Sequence, residues 1–176
     1  MKSGKSGYTL IELALVIAIT AIVSTGASAT VIQILRGTEN NNDHMDTVRQ
    51  VESAGYWISR DVQMANSVTT DNLTQPNFLI VSWTEFDDGG EPIYHSATYY
   101  FEDMTNGIGK LKRNHWSSAG TNDTILVADY IYYNPADIDN TSMVISDDQL
   151  VTAHLVALLG EAIESREYNV KQRPTL

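Results

Sequence analysis

From Leu13 to Leu35 the chain runs 23 residues without a charge, and that run restricts what it can become more than any other feature. As a helix it spans roughly 34 Å at about 1.5 Å per residue, close to a bilayer's hydrocarbon thickness of about 30 Å. Lys2 and Lys5 precede it; Arg36 follows it, accompanied by Glu39 and Asp43. Basic flanks stay on the cytoplasmic side, so the sequence predicts an N-terminus inside and a body outside.

Glu12 is the anomaly, one helical turn inside the apolar segment. A carboxylate at the bilayer centre costs about 2.5–3.5 kcal/mol on insertion scales and less near the interface. Two readings follow. Either Glu12 snorkels to the headgroups, or it pairs with a positive group on another molecule.

The residues around it, Gly7-Tyr8-Thr9-Leu10-Ile11-Glu12-Leu13, resemble the processing site of type IV prepilins and type II secretion pseudopilins. In that family a short basic leader ending in glycine is removed by a prepilin peptidase, and the new N-terminal residue, often Phe, is N-methylated. The resemblance implies cleavage between Gly7 and Tyr8, methylation of Tyr8, and Glu12 as the family's glutamate at mature position five. Tyr8 in place of Phe is a departure. The physics agrees with the resemblance, because a carboxylate paired with the freed amine of Tyr8 on a neighbouring subunit is better tolerated among helices than a lone one. Glu12 is then a residue of subunit register.

A rival reading rests on Ala27-Ser28-Ala29, which has the form of an ordinary signal-peptidase site behind an 11-residue apolar core, Leu13–Val23. The apolar pattern continues past it through Val31, Ile32, Ile34 and Leu35, and an ordinary signal sequence gives no reason for Glu12. Gly4-Lys5-Ser6 mimics the tail of a phosphate-binding loop, but the glycine and strand that such a loop requires do not precede it.

Charge and cysteine content narrow the function classes. Residues 37–176 hold 8 Lys and Arg against 21 Asp and Glu, a net of −13. Such a body is poorly suited to a phosphate backbone, so nucleic acid is not an expected partner. The absence of cysteine excludes disulfides, thiolate metal sites and a cysteine nucleophile.

Along the body, Gly37–Asp43 is polar and turn-prone and predicts a joint or helix break. Val48, Val51, Gly55, Ile58, Val62 and Ala65 then recur at helical spacing, predicting a helix over His44–Asn66 whose apolar stripe packs on a sheet. Strands are predicted over Phe78–Phe86 and Ile93–Phe101, joined by the Asp87-Asp88-Gly89-Gly90 turn, then over Lys110–Trp116 and Thr124–Tyr133. Ser142–Ser146 and Gln149–Leu159 flank Asp147-Asp148 as a further hairpin, although Gln149–Leu159 also suits a short helix. Glu164–Lys171 reads as the last strand. The expected fold class is α+β, a long N-terminal helix on an antiparallel sheet. That is again similar to a pilin, and is reached here without the processing motif. The division implied is a leader at 1–7, a membrane or filament-core helix at 8–36, and an extracytoplasmic domain at 37–176. Arg60-Asp61-Val62-Gln63-Met64-Ala65 and Glu164-Ser165-Arg166-Glu167-Tyr168-Asn169-Val170 resemble segments of J-type minor pseudopilins and point to a minor subunit.

No enzyme motif is present: there is no Gly-x-Ser-x-Gly and no His-Glu-x-x-His. His44, His95, His115 and His154 lie in separate segments; they could converge in space, but ordinary surface or half-buried roles are the plainer reading. Asp87, Asp88 and Glu91 in one loop, and Asp137, Asp139 and Asn140 in another, supply the hard oxygens calcium prefers. Neither loop is a full EF-hand, and solvated turn acids are the simpler account. Lys110, Lys112, Arg113 and Trp116 form a basic-aromatic cluster that could meet DNA or an acidic partner; strand charges facing water are the plainer alternative. Tyr94, Tyr99, Tyr100, Tyr130, Tyr132 and Tyr133 could line a sugar-binding face, or simply reflect the preference of aromatics for strands. The expectation is a non-enzymatic filament subunit without a required cofactor. The partners implied by the resemblance are prepilin peptidase, other pilin or pseudopilin subunits, assembly platform proteins and the cytoplasmic membrane. The alternative is an exported or anchored binding domain with no filament role.

Overall fold

A computed structural model describes residues 9–71, 73, 75–137 and 139–174. The chain divides into two compact units, Met1–Asn41 and Asn42–Leu176. Helix α1 is assigned over Leu10–Met64 and contributes to both.

In the first unit every described residue is exposed and, from Leu10 onward, helical. Leu10, Ile11, Leu13, Leu15 and Ile22 all stand open. The break expected at Gly37–Asp43 is absent, because these residues are helical. One mid-helix glycine costs only about 1 kcal/mol relative to alanine, and Thr38 Oγ1 donates to the Ile34 carbonyl at 2.9 Å, keeping its hydroxyl local. The boundary between units falls at Asn41/Asn42, a few residues beyond the composition change at Arg36.

The second unit is the last part of α1 packed on an antiparallel sheet. The strands are β1 (Ser67–Thr69), β2 (Asn77–Phe86), β3 (Pro92–Thr105), β4 (Ile108–Ser117), β5 (Asn122–Tyr132), β6 (Met143–Asp147), β7 (Leu150–Leu159) and β8 (Ala162–Lys171). β1 to β5 follow one another as neighbours. β7 takes β8 along one edge, and β6 and then β5 along the other; the rung to β5 is the single pair Ile131↔Ala157. Ser142 wedges into that junction: its hydroxyl donates to the Val156 carbonyl at 3.3 Å and accepts from the Val156 amide at 2.8 Å, while its own amide donates to the Tyr132 carbonyl at 3.0 Å. Of Gln149–Leu159, which also suits a short helix, Leu150–Leu159 is a strand, because it pairs with β8 along its whole length.

Alternation builds the core. Leu79, Val81 and Trp83 on β2, Ala97, Tyr99 and Phe101 on β3, and Leu111 and Arg113 on β4 turn inward. They meet Val51, Ala54, Ile58 and Val62 of α1. The helical stripe read from the sequence is the buried face, except that Val48 is half-buried and Thr47, Ala54 and Asp61 join it. Gly55 belongs there because the Tyr168 ring lies against it; a Cβ at 55 would stand 2.1 Å from Tyr168 Cζ.

β5 is irregular. Its pairing with β4 shifts register around Leu111, and Tyr130 sits at φ 59°. Such a bulge frees backbone groups that need partners. The helix supplies them: Ser53 Oγ donates to the Val127 carbonyl at 2.6 Å, and Gln50 Oε1 accepts from the Asp129 amide at 2.7 Å. The short β1 has no sequence signature of its own. It follows from Asn66, whose amide donates to the Ser82 carbonyl at 2.9 Å and whose Oδ1 accepts from the Thr84 amide at 2.8 Å, laying the chain along β2.

Candidate functional site

The expected processing residues Gly7 and Tyr8 lie outside the described residues, which start at Thr9. At the start of α1, Thr9 and Glu12 form a reciprocal pair. Glu12 Oε2 accepts from the Thr9 amide at 2.9 Å and from Thr9 Oγ1 at 3.1 Å, and the Glu12 amide donates to Thr9 Oγ1 at 3.3 Å. This is a capping box, which satisfies donors that a helix start otherwise leaves open. Thr9-Leu10-Ile11-Glu12 has the spacing of that motif, and reading Glu12 only as a snorkelling or intermolecular charge overlooks it. The carboxylate has a partner within its own chain.

The rest of the segment hides its polarity. Thr20, Thr25, Ser28 and Thr30 each donate their hydroxyl to the carbonyl four residues back, at 2.7–3.0 Å. With these groups closed on the helix itself, the segment offers lipid or another helix an apolar exterior. By length and composition α1 is able to cross a membrane.

In the second unit the basic-aromatic cluster comes apart. Lys110 pairs with Asp103 at 2.7 Å and Lys112 pairs with Glu102. Arg113 turns to the opposite face of β4, into the core, while Trp116 stays exposed. No cationic patch remains there, because alternation on a strand sends neighbouring residues to opposite faces and the acids of β3 stand opposite the two lysines. Arg113 instead grips Asp61 of α1 through two nitrogens, Nε to Oδ2 at 2.6 Å and Nη2 to Oδ1 at 3.0 Å, and Tyr99 donates its hydroxyl to Oδ2 at 2.6 Å. Trp57 lies 5.2 Å from the guanidinium centre of Arg113 and 5.2 Å from that of Arg60. Burial and the Asp61 charge push the Tyr99 hydroxyl far above its ordinary range, so it acts as a permanent donor. With every charge met, this is a fastening between helix and sheet.

The acidic loops hold themselves. Asp87 Oδ1 accepts from the amides of Gly89 and Glu91, each at 2.8 Å. Asp137 accepts from Asn140 Nδ2 at 3.0 Å and from the Tyr132 hydroxyl at 3.2 Å. Among the described residues no group of three or more His, Asp or Glu side chains is arranged to hold a metal ion. The tyrosines do not share one face either. Tyr94 is exposed, Tyr99 is in the core, and Tyr133 stacks on Phe101 with ring centres 4.8 Å apart. Of the four histidines, two converge, the less expected of the two readings: His95 and His115 meet on the inner face of the sheet, with ring nitrogens 3.2 Å apart. His154 binds elsewhere, to the Thr141 carbonyl at 3.0 Å and Ser165 Oγ at 2.8 Å.

The fold is α+β, a long apolar N-terminal helix with an antiparallel sheet packed on its later part, consistent with a pilin-like architecture. Residues 2–28 match the prokaryotic N-terminal methylation motif. The match covers 27 of 176 residues and includes Gly7, Tyr8 and Glu12. It supports a pilin- or pseudopilin-like protein that is processed at its N-terminus, and points to a structural role rather than an enzymatic one. Comparison with curated proteins and with solved structures gives no match.

Proposed function

We propose that this protein is a minor subunit of a type IV pilus-like or type II secretion pseudopilus filament. Prepilin peptidase cuts between Gly7 and Tyr8, the Tyr8 amine is methylated, and α1 anchors the subunit in the cytoplasmic membrane before passing into the filament core. The acidic second unit then stands outside the cytoplasm. The observation that carries this reading is the methylation motif over residues 2–28, ending within an apolar helix whose described residues stand uncovered up to Asn41. Apolar side chains exposed in that number need lipid or neighbouring helices. Glu12 supports an assembly role too. Its bond to Thr9 satisfies the carboxylate inside one subunit, and exchange of that partner for the Tyr8 amine of a neighbour would couple docking to helix register.

Intact mass and N-terminal sequence of membrane-extracted protein test this. The reading requires a chain that begins at Tyr8 and carries about 14 Da for one methyl group. A chain that begins at Thr30 would replace it with the exported-domain alternative.

A further inference from the structure

His95 and His115 pack side by side against Trp83. His95 Nδ1 and His115 Nε2 lie 3.2 Å apart, and both rings are nearly parallel to Trp83. Their outer nitrogens face carboxylates: His95 Nε2 is 3.5 Å from Glu85 Oε2, and His115 Nδ1 is 3.8 Å from Asp123 Oδ1. The histidine side chains are 13% and 20% exposed, against 55% and 58% for the two acids. His95 Nε2 itself is buried and, among the described residues, has no hydrogen-bond partner. Each residue comes from a different strand, Glu85 from β2, His95 from β3, His115 from β4 and Asp123 from β5. Arg113, two residues along β4, and Asp61 of α1 complete the charges that act on His115.

Counting protons over the four ring nitrogens decides what this arrangement holds. Two neutral rings carry two N–H groups, and one of these must fill the contact between them. Whichever tautomers are chosen, one outer nitrogen then faces its carboxylate bare. One added proton repairs this: the inner contact keeps a single N–H, and both outer nitrogens donate toward Glu85 and Asp123. A second added proton sets N–H against N–H at the inner contact and places two cations side by side, next to Arg113. A metal ion is a weaker fit, since two nitrogens are an incomplete ligand set and no third His, Asp or Glu completes it among the described residues.

We propose that the His95–His115 pair is a proton-counting switch, a site that holds one shared proton between β3 and β4 and comes apart when it receives a second. Burial, then the Arg113 charge, hold His115 below the ordinary histidine range, in keeping with refusal of the last proton. The sign follows by linkage. An unfolded histidine takes up its proton near pH 6.5, and the fold resists that uptake at His115. The stability present above about pH 6.5 is therefore lost as pH falls below it. Acid opens the inner face of β2–β5 at Trp83, and the pair acts as a sensor of the medium around the body. This holds whether or not the protein enters a filament.

The test is nitrogen-resolved NMR of the histidine rings in the full chain in detergent micelles, from pH 8 to 4.5, with thermal unfolding recorded alongside. The expected result is joint titration of His95 and His115 in two separated steps, the lower one accompanied by a changed tryptophan signal. The thermal midpoint should fall by about 3 °C more in the wild type than in His115→Gln between pH 7 and 5, and His154→Gln should behave as the wild type. Two rings that titrate independently, each as an isolated histidine, overturn the proposal. So does an acid loss of equal size in His115→Gln. If His115→Gln does not fold, the wild-type ring titration decides alone.

Discussion

The Tyr168 ring occupies the space where any residue but glycine at position 55 would place its Cβ, and its hydroxyl donates to the Val51 carbonyl at 3.2 Å, one turn back along α1. The aromatic side chain of the last strand thus reads two consecutive turns of the helix. Gly55→Ala gains about 1 kcal/mol of helix propensity. The rigid ring cannot yield cheaply, so the net effect expected is a loss of about 1–2 kcal/mol from overpacking. Thermal unfolding in micelles checks this, and in a Tyr168→Ala background the same substitution should become neutral or stabilising.

Asp61 and Arg113 should depend on each other. Arg113→Met leaves the Asp61 carboxylate and the Tyr99 hydroxyl buried without their cation, at an expected cost of about 3–5 kcal/mol. The double variant Asp61→Leu/Arg113→Met removes both charges and should lose clearly less than the two single losses combined. Denaturant unfolding of the four chains gives the coupling energy. Additive losses would mean that the pair is not the fastening its geometry describes.

Lys110 and Lys112 offer the opposite case. Both ion pairs are exposed to solvent on the outer face of the sheet, where such pairs contribute little. Lys110→Ala and Lys112→Ala should each leave the unfolding midpoint nearly unchanged, and salt should erase most of any shift. Unfolding curves at low and high salt provide the comparison.

At the N-terminus, Thr9→Ala and Glu12→Ala should separate capping from assembly. Both open the first turn of α1 by breaking the capping box. Only Glu12→Ala removes the carboxylate proposed to meet a neighbour's amine. Both variants should be cut after Gly7, with Glu12→Ala nearly absent from sheared filaments and Thr9→Ala retained in part. Immunoblots of membrane and filament fractions separate the outcomes, and equal incorporation of the two would remove Glu12 from subunit register.

The sequence was most legible where one period dominates. The spacing of Val51, Gly55, Ile58 and Val62 announces a helix with a buried face, and Asp87–Gly90 announces a hairpin, because both signals are local. Gly37–Asp43 misled only as a helix break, since turn-prone composition sets a tendency and the helix on either side sets the outcome; the boundary between the two units does fall within it, at Asn41/Asn42. Asp61 and Arg113 are 52 residues apart, and no local pattern says that two charges will share the core. The same holds for His95 and His115, which meet only because β3 and β4 pair in one particular register. Thr9 was legible and overlooked: its spacing to Glu12 is written in the motif itself.

The junction at Ser142 bears on how the two parts of the sheet are held together. The hairpins of β1–β5 and the ribbon of β6–β8 meet along a seam with one paired rung, Ile131↔Ala157, extended by Ser142 through its hydroxyl to Val156 and its amide to Tyr132. The neighbours within β2–β5, and β7 with β8, are joined by longer ladders. What joins the ribbon to the rest is chiefly side-chain packing: Val151, Ala153, Leu155, Ala157 and Val170 share one buried cluster with Val51, Ala54 and Ile58 of α1, and Tyr168 fills the Gly55 notch. A backbone seam this thin makes the ribbon's place in the sheet depend on how its apolar face fits the helix, so a substitution in that face loosens the whole ribbon and not one residue.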